Sequence, residues 1–387
     1  MTNSIQVQFV TTDSSIDVPS DSFRLPAAST SETLSELINS LCPTNSCLTY
    51  AFTCNNVLIQ SDLDQFISQY TLSLEECLTL NVFVPSHTPE PQESFPHPDW
   101  VSSLVGVSSV SFLSGCYDGS VHLWTNGKSI TANLHQGVVS GLDVFNHNSS
   151  LYIASAGRDG KVSMSTVNET QIQEVGVMIN HPNAVECLAI APGGSLLTTG
   201  CWDSTVRIYP FIDEDQGEFE RDALVSFEGH SAAVSCVEWK VEGSILSGSY
   251  DQCLRVWDVA TANSSAQIYS SAAVFDIASL DRLVALALSD TNLRVYDLRS
   301  GSATSALTFT SPKTSGICTN CLWKDSVTLV SSHYDGLVRV WDTRGKSKIP
   351  VAVVRDTADL NKIFGLDLID NVLMYGGDDS KVSTAKF

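Results

Sequence analysis

One phrase, written seven times with errors, constrains this chain more than any other feature. Residues 331–342 read SSHYDGLVRVWD, and close variants stand at 114–124 (SGCYDGSVHLW), 199–209 (TGCWDSTVRIY) and 247–258 (SGSYDQCLRVWD). Each copy is anchored on an Asp with an apolar residue three positions later. The pairs are Asp118/Val121, Asp159/Val162, Asp203/Val206, Asp251/Leu254, Asp290/Leu293, Asp335/Val338 and Asp379/Val382, spaced 41, 44, 48, 39, 45 and 44 residues apart. Six positions after the Asp stand Trp124, Ser165, Tyr209, Trp257, Tyr296, Trp341 and Ala385, so five of the seven are Trp or Tyr. Runs such as AVSCVEWKV, SILSGSY and CLRVWDV alternate with period 2 in β-branched and aromatic residues, which predicts short strands. Gly, Ser and Asp between them predict tight turns. An internal repeat of this length decides the architecture.

Four short strands in each unit resemble the blade of the WD-repeat family, over about residues 97–387. The resemblance implies a mainly β fold, a seven-bladed WD-repeat β-propeller. It also implies that each Asp sits in the turn between second and third strands, accepting hydrogen bonds from that turn and from a His one strand earlier. Gly229–His230, Asp251 and Trp257 form the full set, and Asp118, Asp203, Asp335 and Trp341 are expected to serve the same structural network. A buried carboxylate is costly unless paired, so such a network would hold the turn. A His–Asp pair beside a Ser also resembles a catalytic triad. A pair recurring from unit to unit has no use in a single active site, and the structural reading is preferred. The units at 159, 290 and 379 depart most from the pattern. The last one, KIFGLDLI, NVLMYGG, KVSTAKF, supplies only three strands. Its fourth is expected from residues 82–96, whose Pro85, Pro89, Pro91 and Pro96 suit an edge strand; otherwise the last blade is three-stranded.

Residues 1–84 do not follow the repeat. IQVQFVT and SFRLPA predict a strand pair, and Leu34, Leu37, Ile38 and Leu41 have helical spacing behind a Ser29-x-x-Glu32 capping box. LTYAFT, NVLIQ and CLTLNVFV predict strands, with a short helix near DLDQFISQY. The order ββαββ(α)β is that of a small α+β ubiquitin-like (β-grasp) domain. Residues 85–96 then form a Pro-rich linker, and 97–387 the propeller. Residues 1–96 hold eleven acidic side chains and one basic, Arg24. That is either a soluble acidic surface or a carboxylate presented to a partner's metal ion.

Charge and composition exclude several functions. The formal charge of −22 opposes binding to free nucleic acid or anionic membrane, since both need Lys and Arg. With 17% charged and 43% hydrophobic residues, the chain is globular. Its first residues have no basic region before an apolar run, no 18-residue apolar stretch occurs, and the eleven cysteines follow no framework, so reduced thiols in a cytosolic or nuclear protein are expected. Cys318-x-x-Cys321 lacks a second pair, so no metal or cofactor held by this chain is expected. The acidic stretch FIDEDQGEFERD (211–222) is a solvated insertion or a contact for a basic partner; TRGKSK (343–348) is too sparse for an import signal. No phosphate loop or nucleophile elbow appears, and no enzyme is expected.

HPDWVSSL (97–104) running into SGCYDGSVHLW, and the closing KIFGLDLIDNVLMYGGDDSKV, resemble the Ytm/WD-repeat-containing-protein-twelve family of ribosome-biogenesis factors over essentially the whole chain. The resemblance implies a non-enzymatic assembly factor for the large ribosomal subunit in the nucleolus and nucleoplasm. Its propeller would dock on the Bop/Erb WD-repeat protein, in a complex with pescadillo on the pre-60S particle. The AAA ATPase midasin would grip the ubiquitin-like domain, a Glu of which would complete the shell of midasin's Mg²⁺, and release the complex. A hard cation prefers carboxylate oxygen. Glu75 and Glu76, in SLEECLTL, lie where the family places that Glu. Strand alternation alone puts Cys77 at the ligand position; one extra residue in the turn puts Glu76 there, with Glu75 the alternative. The rivals are a Notchless-like midasin-binding factor, disfavoured by seven anchors and the DWVSS junction, and a WD-repeat scaffold or substrate receptor of a ubiquitin ligase, for which no adaptor element is evident.

Overall fold

The computed structural model describes residues 4–11, 16–42, 50–54, 57–59, 62–70, 77–84, 89–148, 150–168, 171–178, 181–211, 222–240, 243–299, 305–311, 316–344, 350–354 and 361–387. The chain divides into two compact units, residues 1–88 with 340–352, and residues 89–339 with 353–387.

The first unit carries a five-stranded sheet and two helices: β1 (Ser4–Val10), β2 (Ser22–Pro26), α1 (Ser31–Leu41), β3 (Ala51–Cys54), β4 (Val57–Leu58), α2 (Leu63–Tyr70) and β5 (Leu78–Phe83). The sheet order is β2-β1-β5-β3-β4, with β1 and β5 parallel at the centre and the other pairs antiparallel. β1 alternates strictly, burying Ile5, Val7 and Phe9 against Leu34 and Ile38 of α1 and Leu63 and Phe66 of α2. The capping box that starts α1 lies one residue beyond the expected Ser29/Glu32 pair. Thr30 and Thr33 cap reciprocally: the Thr33 N–H reaches Thr30 Oγ1 at 3.5 Å and the Thr30 N–H reaches Thr33 Oγ1 at 2.9 Å. Ser29, one residue earlier, instead donates its hydroxyl to the Pro26 carbonyl at 2.7 Å.

The remaining strands form seven four-stranded antiparallel sheets among the described residues, numbered here from sheet 1 (101–133) through sheets 2 (139–178), 3 (185–227), 4 (234–269), 5 (274–310) and 6 (318–354) to sheet 7 (363–386 with 90–96). The first strand of each sheet packs against the first strand of the next, and that of sheet 7 against that of sheet 1, which closes the ring. The fourth strand of sheet 7 is β6 (Glu90–Pro96), antiparallel to Lys381–Lys386. Its prolines 91 and 96 stand on a strand whose other edge pairs with no strand among the described residues, where a missing N–H costs least. At the bulge in this pairing, the Thr384 hydroxyl accepts from the Glu93 N–H at 3.1 Å and donates to the Glu93 carbonyl at 3.2 Å, so the irregular backbone stays satisfied.

The ring's cores lie between sheets. Leu113, Val121 and Leu123 of sheet 1 meet Val139, Leu142 and Ile153 of sheet 2; each such side chain, fully buried, is worth roughly 1.5–3 kcal/mol. In sheets 3 and 4 a second-strand glycine lets the next sheet approach closely. A Cβ on Gly200 would stand 2.6 Å from Val234 Cγ1, and one on Gly248 2.5 Å from Val274 Cγ1.

Polar staples join the same seams. Ser102 Oγ donates to the Val139 carbonyl at 2.7 Å, and Ser235 Oγ to the Val274 carbonyl at 2.6 Å; Ser140 does the same to Val185. Buried carboxylates accept backbone N–H groups from the neighbouring first strand: Asp143 from Ile190 (2.7 Å), Glu238 from Ser279 (3.1 Å), Asp276 from Cys321 (3.0 Å) and Asp367 from Gly106 (2.6 Å). Burial raises all four pKa values, Asp143 to about 6 and Asp276 to about 7.

Candidate docking surface

The anchor Asp does the same thing in every sheet. Its carboxylate accepts the N–H two residues on, from Ser120, Lys161, Thr205, Cys253, Asn292, Leu337 and Lys381, at 2.9–3.3 Å. The residue between adopts positive φ in all seven turns, at Gly119, Gly160, Ser204, Gln252, Thr291, Gly336 and Ser380, though only three are glycine. An Asp side chain that mimics a turn carbonyl is what lets Ser, Gln and Thr be held there.

The side-chain partner of the carboxylate varies, which corrects the expectation of a recurring His–Asp pair. Only sheets 2 and 4 have it among the described residues: His135 Nδ1 lies 3.1 Å from Asp159, and His230 Nδ1 lies 2.9 Å from Asp251. In sheets 3, 5 and 6 an Arg four residues later takes the place: Arg207 to Asp203, Arg294 to Asp290, Arg339 to Asp335. The Arg is on the same strand as the turn and needs no loop to deliver it. Asp118 has neither partner; its carboxylate takes the Ser120 hydroxyl, which meets His122 Nε2 at 2.8 Å.

Sheet 4 shows why the triad-like set is inert. Trp257 Nε1 donates to Ser247 Oγ at 2.7 Å, Ser247 Oγ lies 2.8 Å from His230 Nε2, and Nδ1–H faces Asp251. Ser247 is fully buried, so its oxygen meets no solvent-borne substrate. Burial lowers the His230 pKa despite Asp251, keeping the ring neutral; Asp251 is also shifted down, its own burial outweighed by the Ser231 N–H and His230. For Asp203, burial is outweighed by Arg207 and both Thr205 donors, and the pKa falls to about 2. Sheet 6 exchanges two positions: where sheet 4 has His230 and Ser249 it has Ser311 and His333, and His333 Nε2 still reaches Ser331 Oγ at 2.9 Å. Its Trp341 is fully buried.

These turns build a surface. The N–H of the residue before each anchor Asp donates to the carbonyl that precedes its sheet's first strand: Tyr117 to Trp100, Arg158 to Val138, Trp202 to Ala184, Tyr250 to Ala233, Ser289 to Ala273, Tyr334 to Ile317 and Asp378 to Lys362. Each side chain is thereby pinned at the same end of its sheet. Tyr117, Arg158, Tyr250 and Tyr334 line one cavity of about 350 Å³ at the centre of the ring. Trp100 meets Tyr117 edge to face and Phe364 at a tilt, with centroids 5.3 and 6.3 Å away, and Tyr250 meets Phe275 edge to face at 5.6 Å. Arg158 pairs with Glu186 at 2.9 Å and lies 5.7 Å over Trp202, whose Nε1 donates to Glu186 at 2.9 Å. Trp100 and Trp202 remain 44% and 46% exposed. Tyr, Trp and Arg are the residues that carry most binding energy at protein interfaces, and here they are held in place before any partner arrives. The repeat pattern contains this rim one position before each Asp, a signal the sequence reading left unused.

Glu75 and Glu76 lie outside the described residues. Cys77 is exposed just ahead of β5. The ten described cysteines are free thiols; Cys318 and Cys321 are buried, which raises both pKa values and makes them poor nucleophiles or ligands. Among the described residues, no group of three or more His, Cys, Asp or Glu could hold a metal ion, and no helix is long and apolar enough to cross a membrane.

The NLE (NUC135) domain family matches residues 5–67, and the WD domain, G-beta repeat, matches residues 89–125, 172–209, 221–258 and 304–342. The chain is similar over nearly its whole length to ribosome biogenesis protein WDR12 homologues. The one from Oryza sativa subsp. japonica is 29% identical over 98% of this chain and 96% of its own, and that from Arabidopsis thaliana 27% over 98% and 95%. The Drosophila persimilis homologue is 25% identical over 99% and 95%. With an NLE match at one end, WD repeats after it and full-length similarity throughout, the chain belongs to the WDR12/Ytm family.

Proposed function

We propose that the chain is a non-enzymatic assembly factor in ribosome biogenesis, acting on the large subunit in the nucleolus and nucleoplasm. The relatives' printed names support the role in ribosome biogenesis. The WD-repeat ring docks a protein partner through the Tyr117–Arg158–Trp202–Tyr250–Tyr334 rim. The observation that carries this is the pinned rim itself, with exposed tryptophans and an ordered Arg158–Glu186 pair. In the family reading the partner is the Bop/Erb WD-repeat protein in its complex with pescadillo. The N-terminal unit is a ubiquitin-like handle for midasin. Its sheet order β2-β1-β5-β3-β4 around a parallel central pair supports the β-grasp assignment. A Glu of this unit, Glu76 with Glu75 as the alternative, joins midasin's Mg²⁺. Affinity purification tests the reading: Bop/Erb and pescadillo should be recovered, and Trp100→Ala/Trp202→Ala should lower their yield at least tenfold. Recovery of cullin adaptors in their place would point to the ubiquitin-ligase alternative. Glu76→Ala should abolish Mg²⁺-dependent capture by midasin's adhesion domain; unchanged capture refutes that ligand.

A further inference from the structure

The turn that joins the first and second strands differs among the sheets in one respect. Of the seven, only those of sheets 4, 5 and 6 carry a Lys or Arg: Lys240, Arg282 and Lys324. In a chain of formal charge −22, three consecutive turns therefore present cations at one arc of the ring. Lys240 and Arg282 line a concavity of about 840 Å³ together with Arg299, which the third-to-fourth-strand turn of sheet 5 brings beside Arg282 through the bond from the Leu298 N–H to the Arg282 carbonyl at 3.0 Å. Lys324 sits on the neighbouring turn with its ammonium 4.1 Å from the Phe387 ring centroid.

The lining carries two carboxylates against its three cations. Asp297 pairs with Arg299 at 3.3 Å and also accepts its backbone N–H at 3.0 Å. Asp325 accepts the N–H groups of Val327 and Thr328 at 2.9 and 2.7 Å. Asp281, exposed on its turn, is the remaining carboxylate of the lining. Neither Lys240 nor Arg282 has an ionic partner among the described residues, and the Arg299 side chain is 63% exposed.

We propose that this concavity seats a phosphodiester of single-stranded RNA, with Lys240, Arg282 and Arg299 as the contacting cations. A guanidinium fork and a point ammonium suit the oxygens of one phosphate. The choice of RNA among polyanions rests on the role in ribosome biogenesis proposed above; the geometry of the seat does not. The overall negative charge confines the contact to this arc, so a free strand is expected to bind through these cations and not elsewhere on the chain.

Fluorescence anisotropy with a labelled 20-nucleotide single strand at 100 mM salt tests it on the full chain. Wild type should bind, with log K falling against log salt at a slope near −2, as about three contacts on a single strand give. Lys240→Glu/Arg282→Glu should weaken binding at least tenfold while leaving capture of the protein partner intact, so this result is read separately from the docking reading. Lys128→Glu/Lys381→Glu, which changes the net charge equally but elsewhere, should change it less than twofold. Absence of binding by wild type, or equal losses in both variants, overturns the proposal. Competition by polyglutamate as effective as by unlabelled RNA assigns the seat to an acidic peptide and overturns it as well.

Discussion

Sheets 4 and 6 solve one problem in two ways. In sheet 4 the anchor Asp251 is held by His230, delivered from a loop 21 residues upstream; in sheet 6, Asp335 is held by Arg339, four residues on along the same strand. Both carboxylates make the same turn bond to the residue two on. The comparison separates what the fold demands from what it tolerates. The turn bond is demanded seven times. The partner of the other oxygen can be a neutral imidazole or a guanidinium, because either supplies a donor to a carboxylate that burial would otherwise penalise. The two differ in consequence: the imidazole ties a distant loop to the turn and titrates, whereas the guanidinium stays charged and ties the turn to its own strand.

The largest effect should come from breaking the sheet 6 arrangement. Asp335→Ala leaves the Arg339 guanidinium, whose side chain is 4% exposed, without its counter-ion, and should cost about 3–5 kcal/mol in urea unfolding. A loss below 1 kcal/mol would show that the pair is not buried in solution. Asp251→Ala in sheet 4 should cost somewhat less, about 2–4 kcal/mol, because it orphans the Ser231 and Cys253 N–H groups and His230 but no fixed charge. If it proves the more damaging of the two, the difference drawn here fails.

Titration sharpens the contrast. Burial lowers the His333 pKa to about 3, below its unfolded value, so its contribution to stability is complete above about pH 6.5 and is lost as pH falls towards 3. Burial raises that of Asp276 to about 7, so its contribution is complete below about pH 4 and is lost as pH rises through 7. The two oppose each other over the same window. His333→Asn should make stability fall more steeply between pH 4 and 7, and Asp276→Asn should make it rise, each by about 1–2 kcal/mol across the window. Parallel profiles for the two variants would contradict the assignment. The smallest effect is expected from Ser311→His/His333→Ser, which rewrites sheet 6 in the order of sheet 4. Since Arg339 already serves Asp335, thermal unfolding should register a change within about 1 kcal/mol, while Ser311→His alone overfills the buried site and should cost about 1–3 kcal/mol.

The ring was legible because its signal recurs: an Asp, an apolar residue three later and an aromatic six later survive enough errors to mark every sheet. The N-terminal unit was legible from alternation in β1 and helical spacing in α1, and missed only by one residue at the cap, where Thr30 and Ser29 are equally suitable types and only the backbone path shows which of them opens the helix. The partner of each Asp was not legible. His181 and Arg207 both approach the sheet 3 turn, and only geometry shows that Arg207 takes Asp203 while the ring turns to Thr199 and Tyr209. The seam carboxylates were also missed. Asp143, Glu238 and Asp367 look like polar residues on alternating strands, and their role depends on which N–H the next sheet presents. The rim was not legible because the residue before each Asp varies from Tyr, Trp and Arg to Ser289 and Asp378, and only the ring brings those side chains together.

The pairing of β6 with Lys381–Lys386 joins segments 291 positions apart, Glu93 to Thr384. During translation the first of these emerges long before the second. Sheets 1 to 6 can form in turn as their hairpins leave the exit tunnel, since all their strand pairs are local in the chain. Sheet 7 cannot, and the circle stays open until its last strand is made. In that interval β6 is a solitary strand, and its two prolines and two glutamates make it a poor template for a stray strand. Order of manufacture thus sets a deadline: a ribosome that stalls before Lys381–Lys386 is made should release an unclosed ring, which proteases would recognise by its unpaired edges.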